Sequence, residues 1–116
     1  MSHFYEKVAG SAGKELDNAM REWRHKGING PPEEREQFLL QCFHGARGVT
    51  RVFLSAVALS GTGRSRKEIL DTAVPKLLEV VSRDAKDAGF DDEQTQAYID
   101  VHRRAYDSLA EELVSE

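Results

Sequence analysis

Along this chain the apolar residues recur at spacings of three and four, and no stretch alternates convincingly with period two. That spacing lays side chains along one stripe of a helix and leaves no pattern for a half-buried strand. The first stripe is Tyr5, Val8, Ala9, Ala12, Leu16, Ala19, Met20 and Trp23, on a helix from about Ser2 to Lys26. A second helix opens at Pro31-Pro32, with Glu33, Glu34 and Glu36 at its positive end, and runs to about Leu59. Ser65 and Glu68 have capping-box spacing ahead of a third stripe, Ile69, Leu70, Ala73, Val74, Leu77, Leu78 and Val81. Asp91 and Gln94 open the fourth, which continues through Ala97, Tyr98, Val101, Ala105, Leu109 and Leu113.

Three glycine-containing connectors separate these segments, at Gly27 to Pro32, Ser60 to Ser65, and Gly89 to Asp92. The expected fold is all-α, a single domain over residues 1–116 built as an antiparallel bundle of four long helices. The count becomes five if the second helix splits near Gly45-Gly48. Pro75 inside the third predicts a kink, because proline lacks an N–H and clashes with the carbonyl of Asp71. Gly10 and Gly13 weaken the first helix, a sign of close approach by another backbone.

A chain of 116 residues can bury one core without staples, and its lone cysteine, Cys42, allows no internal disulfide. Residues Met1 to Lys7 lack the apolar run of a secretory signal, and Val52 to Leu59 is too short to span a bilayer. A cytoplasmic, non-membrane protein is therefore expected. The net charge of −4 is unevenly spread. Five basic residues and no acid lie between Gln37 and Lys67, whereas Asp91 to Glu116 holds eight acids and two bases. That balance disfavours nucleic acid and suits an acidic protein surface; the two regions can equally face each other within the fold or across a homodimer.

No catalytic constellation emerges. Glu22-Trp-Arg-His25 has the spacing of a di-iron helix motif but lacks the second copy and the inward glutamates that such sites need. Ala58-Leu-Ser-Gly-Thr-Gly-Arg-Ser65 departs from a phosphate loop at Ala58 and Arg64, where glycine and lysine are required. No nucleophile elbow is present. The reading is a non-enzyme with no metal and no cofactor. Two alternatives stand beside it. One is a helical ligand- or metal-binding domain using Cys42, His44 and His102. The other is a DNA-binding protein using Arg64, Arg66 and Lys67, although the helix that follows them turns acidic.

The second helix carries the functional argument. Stepping 100° per residue, its apolar residues from Phe38 to Val57 occupy about 200° of circumference, where one core-facing stripe needs about 100°. One flank reads Leu40, Phe43, Arg47, Arg51 and Leu54. Aromatic, aliphatic and arginine side chains together make interface anchors, so these five are the candidate protein-binding residues. The competing arrangement makes this helix the central one, covered on both sides.

In length, helical content and the run Cys42-Phe-His-Gly-Ala-Arg-Gly-Val-Thr-Arg51, the chain resembles the QslA-type quorum-sensing anti-activators of bacteria. The resemblance implies action by protein contact. The partner would be the ligand-binding domain of a LuxR-type receptor, held away from DNA by occupation of its dimerisation surface. The same surface can hold a homodimer, and partner exchange is then the regulatory step.

Overall fold

The computed structural model describes residues 2–114, without the side chains of residues 2–6, 8 and 9. Tyr5, Val8 and Ala9 of the first stripe therefore lie outside the described side chains. Four helices account for almost all of the described residues: α1 (Ser2–Ile28), α2 (Pro32–Leu59), α3 (Arg66–Asp87) and α4 (Asp92–Val114), with no strand among them. This is the expected all-α architecture of four long helices. α2 passes through Gly45 and Gly48 unbroken, and α3 continues through Pro75 as one element.

The helix ends follow from local chemistry. The Ser65 hydroxyl accepts from Glu68 N–H at 3.1 Å and starts α3. Asp91 and Gln94 form a full capping box: Gln94 N–H donates to Asp91 Oδ1 at 2.7 Å, and Asp91 N–H to Gln94 Oε1 at 3.0 Å. Gly89, at φ +79°, closes α3. Its N–H reaches Lys86 O, and Phe90 N–H reaches Ala85 O, the paired bonds of a Schellman motif.

α4, rather than α2, is the enclosed helix. It packs on both α2 and α3, and it buries Thr95, Tyr98, Val101, Ala105, Tyr106, Leu109 and Leu113. Two apolar clusters result. Ile28, Phe38, Cys42, Val81, Ala85, Phe90 and Tyr98 belong to one, and Leu54, Leu70, Leu109 and Leu113 to the other. Across α2, α3 and α4 each cluster joins the start of one helix to the end of the next, so these three run antiparallel in succession.

Among the described side chains, α1 joins this arrangement only through its last turns. Gly10 to Trp23 are exposed wholly or in large part, and burial begins at Arg24, Gly27 and Ile28. The molecule is accordingly a plate of 48 × 39 × 20 Å with a radius of gyration of 16.5 Å. A spherical packing of this chain length would give about 13 Å. The thin dimension is about two helix diameters, and the free part of α1 projects as an arm.

Candidate protein-docking surface

The flank singled out from the sequence faces α4. Leu54 is buried in the second cluster, Phe43 packs half-buried against the first, and Arg47 is half-buried. Arg47 donates to Glu112 Oε2 at 3.3 Å, and Arg51 donates to the same oxygen. The Arg47 guanidinium also stands 5.9 Å from the centre of the Phe43 ring, while its buried Nε–H has no acceptor. Leu40 and Arg51 remain exposed. The five residues are thus not presented as one open surface. The basic middle of the chain instead meets the acidic C-terminal helix here, the internal pairing that the charge distribution allowed.

The bare apolar surface lies on the other side of α2. Gly45, Val49, Val52, Ala56 and Leu59 follow one another at spacings of four, three, four and three, with Phe53 beside them. Val49 is 59%, Val52 69%, Phe53 65% and Leu59 88% exposed. The same spacing extended backwards reaches Cys42 and Phe38, which are buried. One helical face is therefore covered over its first two turns and uncovered from Gly45 onward.

The cover ends because α1 turns away. At the covered end Trp23 meets Phe38 edge-on with ring centroids 4.8 Å apart. The Phe38 ring rests on the α1 backbone at Gly27, where an added Cβ would lie 2.2 Å from the ring. Close approach therefore occurs at Gly27; Gly10 and Gly13, where it was expected, have nothing within 4 Å. α1 is then pinned to the other helices. Arg24 Nε donates to Tyr98 Oη at 3.1 Å, and its guanidinium lies 3.6 Å from the Asp84 carboxylate. His25 Nδ1 lies 3.0 Å from the carbonyl oxygen of Ala88, joining the end of α1 to the end of α3. The apolar side of the arm, including Leu16 at 63% exposure, is left bare. Sequence reasoning placed Tyr98 in the apolar stripe of the fourth helix but did not foresee the contacts of Arg24 with it and with Asp84, because no periodicity links residues so far apart in the chain.

The electrostatics around this anchor are those of a closed core. Burial pushes the Cys42 thiol up to about 12, against the opposing field of Arg24. Burial, and then the neighbouring Cys42, push the Tyr98 phenol up to about 12. Burial also lowers His102, whose Nδ1 sits 2.8 Å from Tyr98 O. Of the three groups proposed to converge on a ligand, Cys42 is buried, His44 is exposed and His102 is half-buried. Glu22 and His25 are both exposed. Among the described residues no three metal-ligating side chains come together. In the first turns of α3, Lys67 pairs with Asp71 at 2.7 Å. No described helix is long and apolar enough to cross a membrane.

What this geometry can do is bind a helix. A strip with alternating three- and four-residue spacing accepts the knobs of a partner helix, and its glycine and alanine allow close approach. No protein-family model, curated protein or solved structure matches the chain.

Proposed function

We propose that this is a non-enzymatic regulatory protein that binds and sequesters another protein through the bare face of α2. The supporting observation is the position of α2. An outer helix has no use for a second apolar side, yet Val49, Val52, Phe53 and Leu59 stand in water. Contiguous exposed apolar surface of this kind marks sites of protein contact. The target is a polypeptide that uses helix-mediated dimerisation. In keeping with the QslA resemblance it is a LuxR-type transcription regulator, disabled by occupation of its dimerisation surface. A competitor needs only an apolar ridge to fill such a surface, and Val49, Val52, Phe53 and Leu59 of α2 form one.

Titration of the protein into the purified ligand-binding domain of a LuxR-type receptor from the same cell tests the reading. A complex is expected, and Phe53→Asp weakens it by about 100-fold, as loss of a central aromatic anchor does. Circular dichroism checks that the variant keeps its helices. Full affinity in Phe53→Asp, or no complex with any such receptor of the host, refutes the proposal.

A further inference from the structure

Between the last turns of α1 and the first turns of α2 lies an open cleft of about 410 Å³. One wall is aromatic. Phe38 is buried with its ring against Gly27, and Trp23 stands edge-on to that ring with 40% of its own surface exposed. The opposite wall is polar, made by Glu33 and Glu34 in the first turn of α2 and by Gln37 and Gln41 in the turns that follow. Among the described residues none of these four side chains has a hydrogen-bond or ion-pair partner. From this arrangement we propose that the cleft receives an arginine side chain of a partner polypeptide, its guanidinium packed on the indole of Trp23 and bonded to the carboxylates of Glu33 and Glu34.

Charge selects a cation. Lys26 of α1 also lines the cleft, but two carboxylates against one ammonium leave the walls net negative. The helix dipole accounts for acids in the first turn of α2; it gives no reason for an exposed indole held beside them. Among cations, a guanidinium fits best. It is planar, packs on aromatic rings and is weakly hydrated, so it gives up little water in a cleft open to solvent. An ammonium holds its water more strongly. The carboxylates and amides together offer more acceptor oxygens than a guanidinium has N–H donors, so every donor can be paired. Position selects a polypeptide as the source. Gln41, Gly45, Gly48 and Val52 follow one another at spacings of four, three and four, and all are exposed. The cleft is therefore the head of the bare strip on α2, and a chain lying along that strip delivers a side chain into it. The choice of a polypeptide rests on the reading of α2 as a docking surface; the cation site itself does not.

Trp23 is the one tryptophan of the chain, so indole fluorescence reports on this cleft. The full chain is titrated with N-acetyl-arginine amide. A saturable change is expected, with a midpoint on the order of 1 mM, as suits a single side chain. N-acetyl-citrulline amide, of the same shape but uncharged, binds at least about 10-fold more weakly, and so does N-acetyl-lysine amide. Glu33→Gln and Glu34→Gln each weaken the arginine probe by about 10-fold, the loss of one charge-assisted bond. Both variants keep the indole, and circular dichroism checks their helices. Glu93→Gln, at an exposed acid in the first turn of α4, leaves the midpoint unchanged. Affinity for the receptor domain falls with Glu34→Gln by a similar factor.

A change that never saturates overturns the inference, as does binding that survives both glutamine variants. Citrulline or lysine derivatives that bind as well as the arginine derivative overturn the guanidinium. Free L-arginine binding more than about 10-fold tighter than the blocked form overturns the polypeptide source, as does receptor affinity untouched by Glu34→Gln. The same samples keep the two proposals apart, because Phe53→Asp leaves the cleft and its probe unaffected. A protein that captures the receptor but ignores the probe defeats the cation site alone. A protein that binds the probe but no receptor defeats the proposed function alone.

Discussion

Gly27 and Phe38 fix where the arm leaves the body of the protein. A methyl group at position 27 would fall inside the Phe38 ring, which is buried and has little room to retreat. Gly27→Ala should therefore lower stability by about 1–3 kcal/mol, as overpacking does, read as an earlier urea midpoint. No local pattern distinguishes this glycine from Gly10 or Gly13; only the ring brought from another helix makes it special. The buried titrating groups set the pH limits of the fold. Cys42 ionises at 9.0 when free and near 12 in the folded chain, and Tyr98 moves from 10.0 to about 12. Above pH 9 the unfolded chain sheds protons that the folded chain keeps, so stability falls as pH rises toward 12. His102 acts at the other end. Its folded value is lowered, so below its ordinary 6.5 the unfolded chain takes up a proton the folded one resists, and stability falls with falling pH. A urea midpoint plotted against pH should show a plateau between these limbs, and Cys42→Ala should delay the onset of the alkaline limb toward pH 10. An unmoved onset would show that the thiol is not the group responsible.

At the scale of the helices, most of the outcome was legible in the sequence. Period three-and-four stripes gave four helices, and the chemistry of Ser65, Gly89 and Asp91 placed their ends, because caps are contacts between near neighbours. The order of enclosure was not legible. Apolar width states how much of a helix needs cover, not which surface provides it. α4 has a narrower stripe than α2, yet its Ala105 lets neighbouring helices approach closely enough to bury that residue completely. The pairing of the α2 arginines was hidden for the same reason: their carboxylate, Glu112, lies on another helix. Gly48 offers a test of α2 as an outer element. Its missing Cβ would meet nothing within 4 Å. In the Phe53→Asp background, Gly48→Ala should raise stability by about 0.5–1 kcal/mol through helix propensity alone, measured by urea denaturation. A decrease would show that position 48 is crowded after all.

The whole molecule is a four-helix bundle flattened into an open plate, and the proposed function rests on what the plate leaves uncovered. The bare face of α2 was within the apolar band seen in the sequence. What the band could not disclose was the half-turn that separates the flank on α4 from the flank in water. The two clusters of buried residues have one more mechanical effect. α2 is seated by Phe38 and Cys42 near one end and by Leu54 near the other, and between them its one buried side chain is Thr50. It is a beam seated firmly at its two ends, with Gly45 and Gly48 in a span that is held along one side only, by the half-buried Phe43 and Arg47 and by the pairing of Arg47 and Arg51 with Glu112. Such a span can bow, since glycines and weakly packed turns are where helices bend. Under the proposed function, a partner of a given curvature would be met by a ridge that deflects to match it, without disturbing either end.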